Sequence, residues 1–268
     1  MKRLFALLLA VLLLLSGCAA GERLPTLTVT FLDVGKADCI LLEVDGHAAM
    51  IDAGNQGDAE EILALLDEKG ISSLEFLLLT HLDKDHIGGA DVLMKTLPIG
   101  TIYAPDYDKG NKQYEQYMAA LEETGIAPVH PESPLALSFG QADLTLLPGE
   151  KSEYAESNDY SILLSLQYGQ TSFLFAGDAE EERLAEYLDD PDARTYDVLK
   201  VPHHGRACAL SEAFFTSVSP SYAVITCDAD NMPDDSVVQM LKALGAKVYG
   251  TVYGDVILTS DGRNISVA

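Results

Sequence analysis

From residue 27 onward, short apolar runs alternate with turn-forming residues at a spacing that predicts strands and helices in regular exchange. Runs at 27–32, 39–44 and 48–51 read as strands, and the spacing over 58–68 as a helix. A further apolar run, 74–79, predicts a buried strand that feeds into the loop Thr80-His81-Leu82-Asp83-Lys84-Asp85-His86-Ile87-Gly88-Gly89, with a helix beginning near Ala90. A strand at 101–104 precedes a helix at 111–123, where Tyr114, Tyr117, Met118 and Leu121 recur on one face as core-packing residues do.

The second half repeats the scheme with new elements. Strands are expected at 144–147, 161–167, 171–175, 198–201, 222–226 and 247–251, and helices at 180–188, 211–217 and 236–244. A final strand pair, 255–259 and 264–267, is joined across Asp261-Gly262, a hairpin signal. The two mixed halves follow each other without a linker, so two sheets packed face to face, with helices outside, would bury the apolar runs of both. The expected class is α/β, a four-layer αββα sandwich.

Ahead of this region the pattern is different. Lys2 and Arg3 precede an unbroken apolar run, 4–15, that leads to Leu15-Ser16-Gly17-Cys18. Twelve apolar residues in a helix cover about 18 Å, short of the roughly 30 Å hydrocarbon core, which favours a secretory leader over a permanent span. Small residues leading to a cysteine resemble a bacterial lipobox, which implies cleavage before Cys18 and its lipidation; an ordinary leader with an incidental cysteine is the alternative. The expected organisation is a leader at 1–17, a tether at 18–25 and one domain over 26–268, extracytoplasmic and held at the membrane by Cys18.

With Cys18 set aside, Cys39, Cys208 and Cys227 remain, an odd number that closes no full disulfide set; Cys39 and Cys227 lie in apolar runs and read as small buried hydrophobes. The chain carries 17 Lys+Arg against 42 Asp+Glu, a formal charge of −25, and loss of Lys2 and Arg3 makes it two units more negative. Such a surface repels phosphate backbones, so tight binding of duplex DNA is not expected. Local cations near a site, with Lys200 and Arg206 as candidates, are the exception to consider.

Candidate chemistry collects in loops that directly follow apolar strands, where sites are commonly built. Asp52-Ala53-Gly54 ends one strand, and His81, Asp83, Asp85 and His86 follow the next. Gly177-Asp178 and Pro202-His203-His204-Gly205 end two more. Any one of these is common as a turn, but the chain has only six histidines and four of them fall in two such clusters. His47 and His130 lie outside and read as surface or packing residues. Groups two apart in extended backbone point the same way, so His81 and Asp83 can share one cation. Asp85 and His86 need a bend to converge on a second ion, and Gly88-Gly89 leave room for the backbone to close around it. Asp178 is the free carboxylate to lie between two ions, and His204 would complete the second.

These residues resemble the metallo-β-lactamase superfamily, whose loop pattern H-x-H-x-D-H corresponds to His81-Leu82-Asp83-Lys84-Asp85-His86. More narrowly, Phe31-Leu32-Asp33-Val34-Gly35, Asn158-Asp159-Tyr160-Ser161 and Leu199-Lys200-Val201-Pro202-His203-His204-Gly205 are similar to the extracellular hydrolase domain of the ComEC/Rec2 competence proteins. The resemblance implies an αββα sandwich with metals at one edge, and Asp52 as a carboxylate that orients a ligand histidine. It also shows three departures. Asp83 stands for the second histidine, a later histidine is replaced near Asn158, and Arg206 stands where the competence domains carry serine after the double histidine. An oxygen-rich first site admits manganese as well as zinc. The large membrane channel of those proteins has no counterpart, so DNA uptake is not implied.

The expected function is therefore metal-dependent hydrolysis with two divalent ions, zinc or manganese, activating a water for attack on an ester. Asp85 and Asp178 would hold the metals and orient that water. The superfamily's P-G-H-G loop implies His204 as ligand and leaves His203 to bind substrate or protonate the leaving group. A phosphodiester in a small molecule or surface polymer is the preferred substrate. A lactone or β-lactam, and a noncatalytic surface lipoprotein that binds a metal or partner, are the alternatives.

Overall fold

The structure, a computed structural model, describes residues 24–268; the leader and Cys18 lie outside the described residues. In chain order the strands are β1 (Leu27–Phe31), β2 (Ile40–Val44), β3 (His47–Ile51), β4 (Leu74–Leu78), β5 (Ile99–Tyr103), β6 (Leu135–Phe139), β7 (Ala142–Leu147), β8 (Leu163–Tyr168), β9 (Thr171–Phe175), β10 (Val198–Lys200), β11 (Tyr222–Ile225), β12 (Lys247–Gly250), β13 (Val256–Ser260) and β14 (Ile265–Val267). They form two seven-stranded sheets, ordered β14-β13-β1-β2-β3-β4-β5 and β12-β11-β10-β9-β8-β7-β6. The C-terminal hairpin thus returns to the first sheet, where β13 pairs antiparallel with β1.

Burial explains why so many strands read as unbroken apolar runs. Successive side chains of a strand point to opposite faces, and here both faces are covered. In β2, Leu42 faces the other sheet, in a cluster that joins Phe31 and Ile51 of its own sheet to Phe173 and Phe175 of the other. Its neighbour Leu41 faces outward and packs with Ile62, Leu93 and Tyr117 of the helices Ala59–Glu68, Ala90–Thr96 and Lys112–Thr124. The second sheet is covered likewise by Leu184, Phe214 and Leu241 of the helices Glu181–Asp189, Ser211–Val218 and Asp235–Ala243. These are the four expected layers.

Several elements differ from the sequence expectation for local reasons. The edge strand β6 carries a period-two pattern, with Leu135, Leu137 and Phe139 packed and Ala136 and Ser138 exposed, too weakly apolar to stand out from the Pro-rich stretch before it. The 161–167 run starts as strand only at Leu163, because residues Ser157–Tyr160 wind into a 3-10 turn that carries the chain into it. Within the histidine loop, residues Lys84–Ile87 close one helical turn. That turn lets ligand atoms of the adjacent Asp85 and His86 lie within 4.8 Å of each other.

What the topology does for function is to align strand ends. Strands β3, β4 and β5 run parallel, as do β9, β10, β11 and β12. Their C-terminal loops therefore emerge along one edge of the sandwich, and the four clusters sit there.

Candidate metal centre

Asp52, directly after β3, is fully buried and has a left-handed backbone, φ 59°. This conformation costs an L-residue about 1–2 kcal/mol, and a backbone bond from Asp52 N to Leu78 O at 2.7 Å helps hold it. The carboxylate accepts from Thr80 N at Oδ1 and from Thr80 Oγ1 at Oδ2, both at 2.7 Å. It also accepts from His86 Nδ1 at 2.8 Å, which fixes the ring and leaves Nε2 pointing onward. Gly88 and Gly89 make room for backbone to close in, as the sequence suggests, since a Cβ on Gly88 would lie 2.3 Å from Gln56 N and one on Gly89 2.6 Å from Ala53 O.

His204 is set by a parallel device. Both His203 and His204 have left-handed backbones, φ 48° and 50°, in the turn after β10. Strain of this kind tends to be kept where a side chain must be aimed. His204 is buried, and its Nδ1 lies 3.1 Å from Thr226 O and 3.0 Å from Thr226 Oγ1 beyond β11, again leaving Nε2 forward. His81, also buried, has Nδ1 3.2 Å from Thr80 Oγ1.

The three Nε2 atoms of His81, His86 and His204 are buried without hydrogen-bond partners among the described residues. Asp178, after β9, stands among them: its Oδ2 is 3.4 Å from His86 Nε2 and 3.2 Å from His204 Nε2, near enough to feel their charge but outside hydrogen-bonding geometry. Ligand atoms of His81, His86 and Asp178 lie within 4.8 Å of one another, as do those of Asp85, His86 and His204. Orphaned imidazole nitrogens aimed at a shared carboxylate are costly in a dry interior and fit divalent cations. Of the histidine pair, His204 is the one in a ligand-spaced group. Asp83 joins neither group; its Oδ1 is paired with Lys109 Nζ at 2.5 Å.

The electrostatics follow from crowding acids and imidazoles in one pocket. Burial, then the charge of His86, pushes His81 down to about 3. Burial also opposes charge on His86, but Asp178, Asp52 and Asp38 outweigh it and hold this imidazole well above its ordinary value. Burial works against the Asp85 carboxylate, yet His86 and Lys36 bring it to about 2. His203 stands apart: its Nδ1 pairs with Glu180 Oε1 at 2.7 Å, its Nε2 is 3.4 Å from Asn158 Nδ2, and burial lowers its pKa. Asn158 thus touches His203 and belongs to neither ligand-spaced group.

Sequence reasoning missed Asp38 and misjudged Lys200. Rather than a rim cation, Lys200 is 1% exposed; its ammonium pairs with Asp38 Oδ2, donates to Gly177 O at 2.9 Å and lies 3.5 Å from Asp178 Oδ1. Asp38 is equally buried and accepts from Thr226 Oγ1 at 2.6 Å, so one buried pair braces both Asp178 and the threonine that holds His204. A lysine inside the apolar run Val198-Leu199-Lys200-Val201 and an aspartate inside Ala37-Asp38-Cys39-Ile40 were the available signal, because buried charges need partners. Arg206 is tied to Asp234 at 3.1 Å.

Comparison with known proteins agrees with this geometry. The family model for the Metallo-beta-lactamase superfamily matches residues 32–227. The chain is similar to ComE operon protein 3 of Bacillus subtilis, 30% identical over 193 residues, covering 71% of this chain and 25% of that protein. It is also similar to Recombination protein 2 of Haemophilus influenzae, 28% identical over 235 residues, covering 85% and 28%. It thus spans about a quarter of the length of these relatives. Among solved structures, the metallo-beta-lactamase fold protein YhfI of Bacillus subtilis superposes with a TM-score of 0.62 at 13% identity over 88% of this chain and all of that one, a likeness of fold. With two seven-stranded sheets between helices, imidazoles and a carboxylate converging at one edge, and a family match across most of its length, the chain belongs to the metallo-beta-lactamase superfamily of metal-dependent hydrolases.

Proposed function

We propose that the protein hydrolyses phosphodiester bonds at a centre holding two divalent cations, zinc or manganese. The observation that carries this reading is the convergence of three buried, unpartnered Nε2 atoms, from His81, His86 and His204, around Asp178. Asp85, His86 and His204 would hold one ion and His81 with Asp83 the other, with Asp178 between them. For Asp83 this requires release from Lys109. Such ions, when bound, acidify water and offset the charge that develops on an ester during attack. The chain's own residues do the rest. Asp52 and Thr226 aim the imidazoles, and Lys200 steadies Asp178. Glu180 holds His203 at Nδ1, and Asn158 stands 3.4 Å from its Nε2, the nitrogen that would carry a proton to the departing oxygen.

An anionic substrate is favoured by the cations placed beside these acids. In a chain of net charge −25, Lys36 and Lys109 reach Asp85 and Asp83. A neutral lactone has no comparable use for them. The strongly acidic remainder favours a small molecule or surface polymer over duplex DNA. The test is elemental analysis together with a panel of phosphodiester, lactone and nuclease substrates under added zinc or manganese. Two equivalents of metal with phosphodiester turnover supports the proposal. No bound metal and no turnover leaves a noncatalytic binding protein, and lactone turnover alone replaces the substrate class.

We also propose that the protein works outside the cytoplasm, anchored through lipidated Cys18. The basic-then-apolar leader ending at Leu15-Ser16-Gly17-Cys18 supports this. Changing Cys18 to serine should move the protein from the membrane fraction to the soluble fraction. Unchanged membrane association would rule out the lipid anchor.

A further inference from the structure

Lys36 lies in the loop between β1 and β2, and its placement is specific. Its backbone N–H donates to Asp228 Oδ2 at 3.1 Å, which pins the loop, while its side chain crosses to Asp85. The ammonium contacts Asp85 Oδ2 at 3.0 Å, the same oxygen that lies 3.7 Å from His204 Nε2. Lys36 therefore satisfies the carboxylate oxygen nearest a ligand imidazole. It is not sealed in: the side chain is 29% exposed, against 13% for Asp85, and a lysine stem with several rotatable bonds can swing at little cost. His203, a quarter exposed and oriented by Glu180, is near enough for the Lys36 charge to help lower its pKa.

From this geometry we infer that Lys36 is an exchangeable counter-ion, which covers Asp85 until a divalent cation takes that oxygen and then turns outward to bind a non-bridging oxygen of a phosphate group at the same centre. The inference rests on the phosphodiester reading and names the group that recognises the anion. A divalent ion and an ammonium against one carboxylate oxygen repel each other, so metal loading favours the outward turn of Lys36. The released charge is then available beside the same site. Phosphate binding by a lysine acting as a mobile point charge needs no bidentate geometry.

Two bindings measured on the purified protein test this, neither requiring turnover: affinity for zinc or manganese by chelator competition, and affinity of the metal-loaded protein for inorganic phosphate by calorimetry. For Lys36→Met, metal affinity should hold or rise, because a competitor for Asp85 is gone. Phosphate affinity should fall about tenfold, the low end for a hydrogen bond between charged groups. Lys36→Arg should restore most of the phosphate binding. Unchanged phosphate affinity in Lys36→Met overturns the inference, as does a fall in metal affinity, which would make Lys36 a support for Asp85. The outcomes remain separable from the substrate proposal, since phosphate can bind as expected even where no phosphodiester is cleaved.

Discussion

Alanine at both Asp85 and His86 lowers metal-dependent hydrolysis on the order of 10⁴-fold or more, the scale of losing groups that act as a unit. His86 belongs to all three ligand-spaced groups among the described residues, the third being its group with Asp38 and Asp52, and Asp85 lies in one, so the pair removes donors from every group. The fold should survive. Asp52, which loses its bond to His86, keeps two from Thr80, and both substituted residues lie in the loop after β4 rather than in the sheet interior. Turnover, bound metal and circular dichroism measured on one preparation check this. A folded double variant with activity within tenfold of the parent would show that the reaction is performed elsewhere.

The second large effect concerns stability. Asp38→Ala leaves the Lys200 ammonium buried with only Gly177 O and a distant Asp178 Oδ1 for partners. Removing one member of a buried pair costs about 3–5 kcal/mol, a large share of the roughly 5–15 kcal/mol that holds a domain folded. For a domain of this size each kcal/mol lowers the melting temperature by about 2–4 °C, so a drop of about 10 °C is expected. Adding Lys200→Met to Asp38→Ala should recover part of it, because no buried ammonium is then left unpaired and Asp178 keeps His86 beside it. Thermal unfolding in a chelator isolates the effect from metal linkage. A single variant that melts with the parent would mean Asp178 alone suffices for Lys200, and that Asp38 does not brace the centre.

The two expectations differ in how legible their residues were beforehand. Asp85 and His86 announce themselves as an acid and an imidazole within six residues of another His-Asp pair, at the end of an apolar strand. Asp38 and Lys200 sit 162 positions apart in β-rich segments that read as ordinary core, and nothing local says that they touch. The same contrast separates His204 from His203. Both follow β10 in one turn, and only the left-handed backbone at each, with Thr226 behind one ring and Glu180 beside the other, sends them to different tasks. Strand β6 was readable in principle from Leu135, Leu137 and Phe139, but an edge strand with one wet face carries half the apolar signal of a central one.

What the sequence determined alone is whatever depends on near neighbours: the period of each strand and helix, the acidic balance, and the positions of the four clusters at strand ends. Only the tertiary structure decided which clusters share a centre, that Lys200 turns inward while Lys36 stays at the opening, and that Asp83 is held by Lys109. The physical reason is that side-chain chemistry is local, whereas convergence depends on strand order and sheet stacking. Both arise from the global burial of apolar faces.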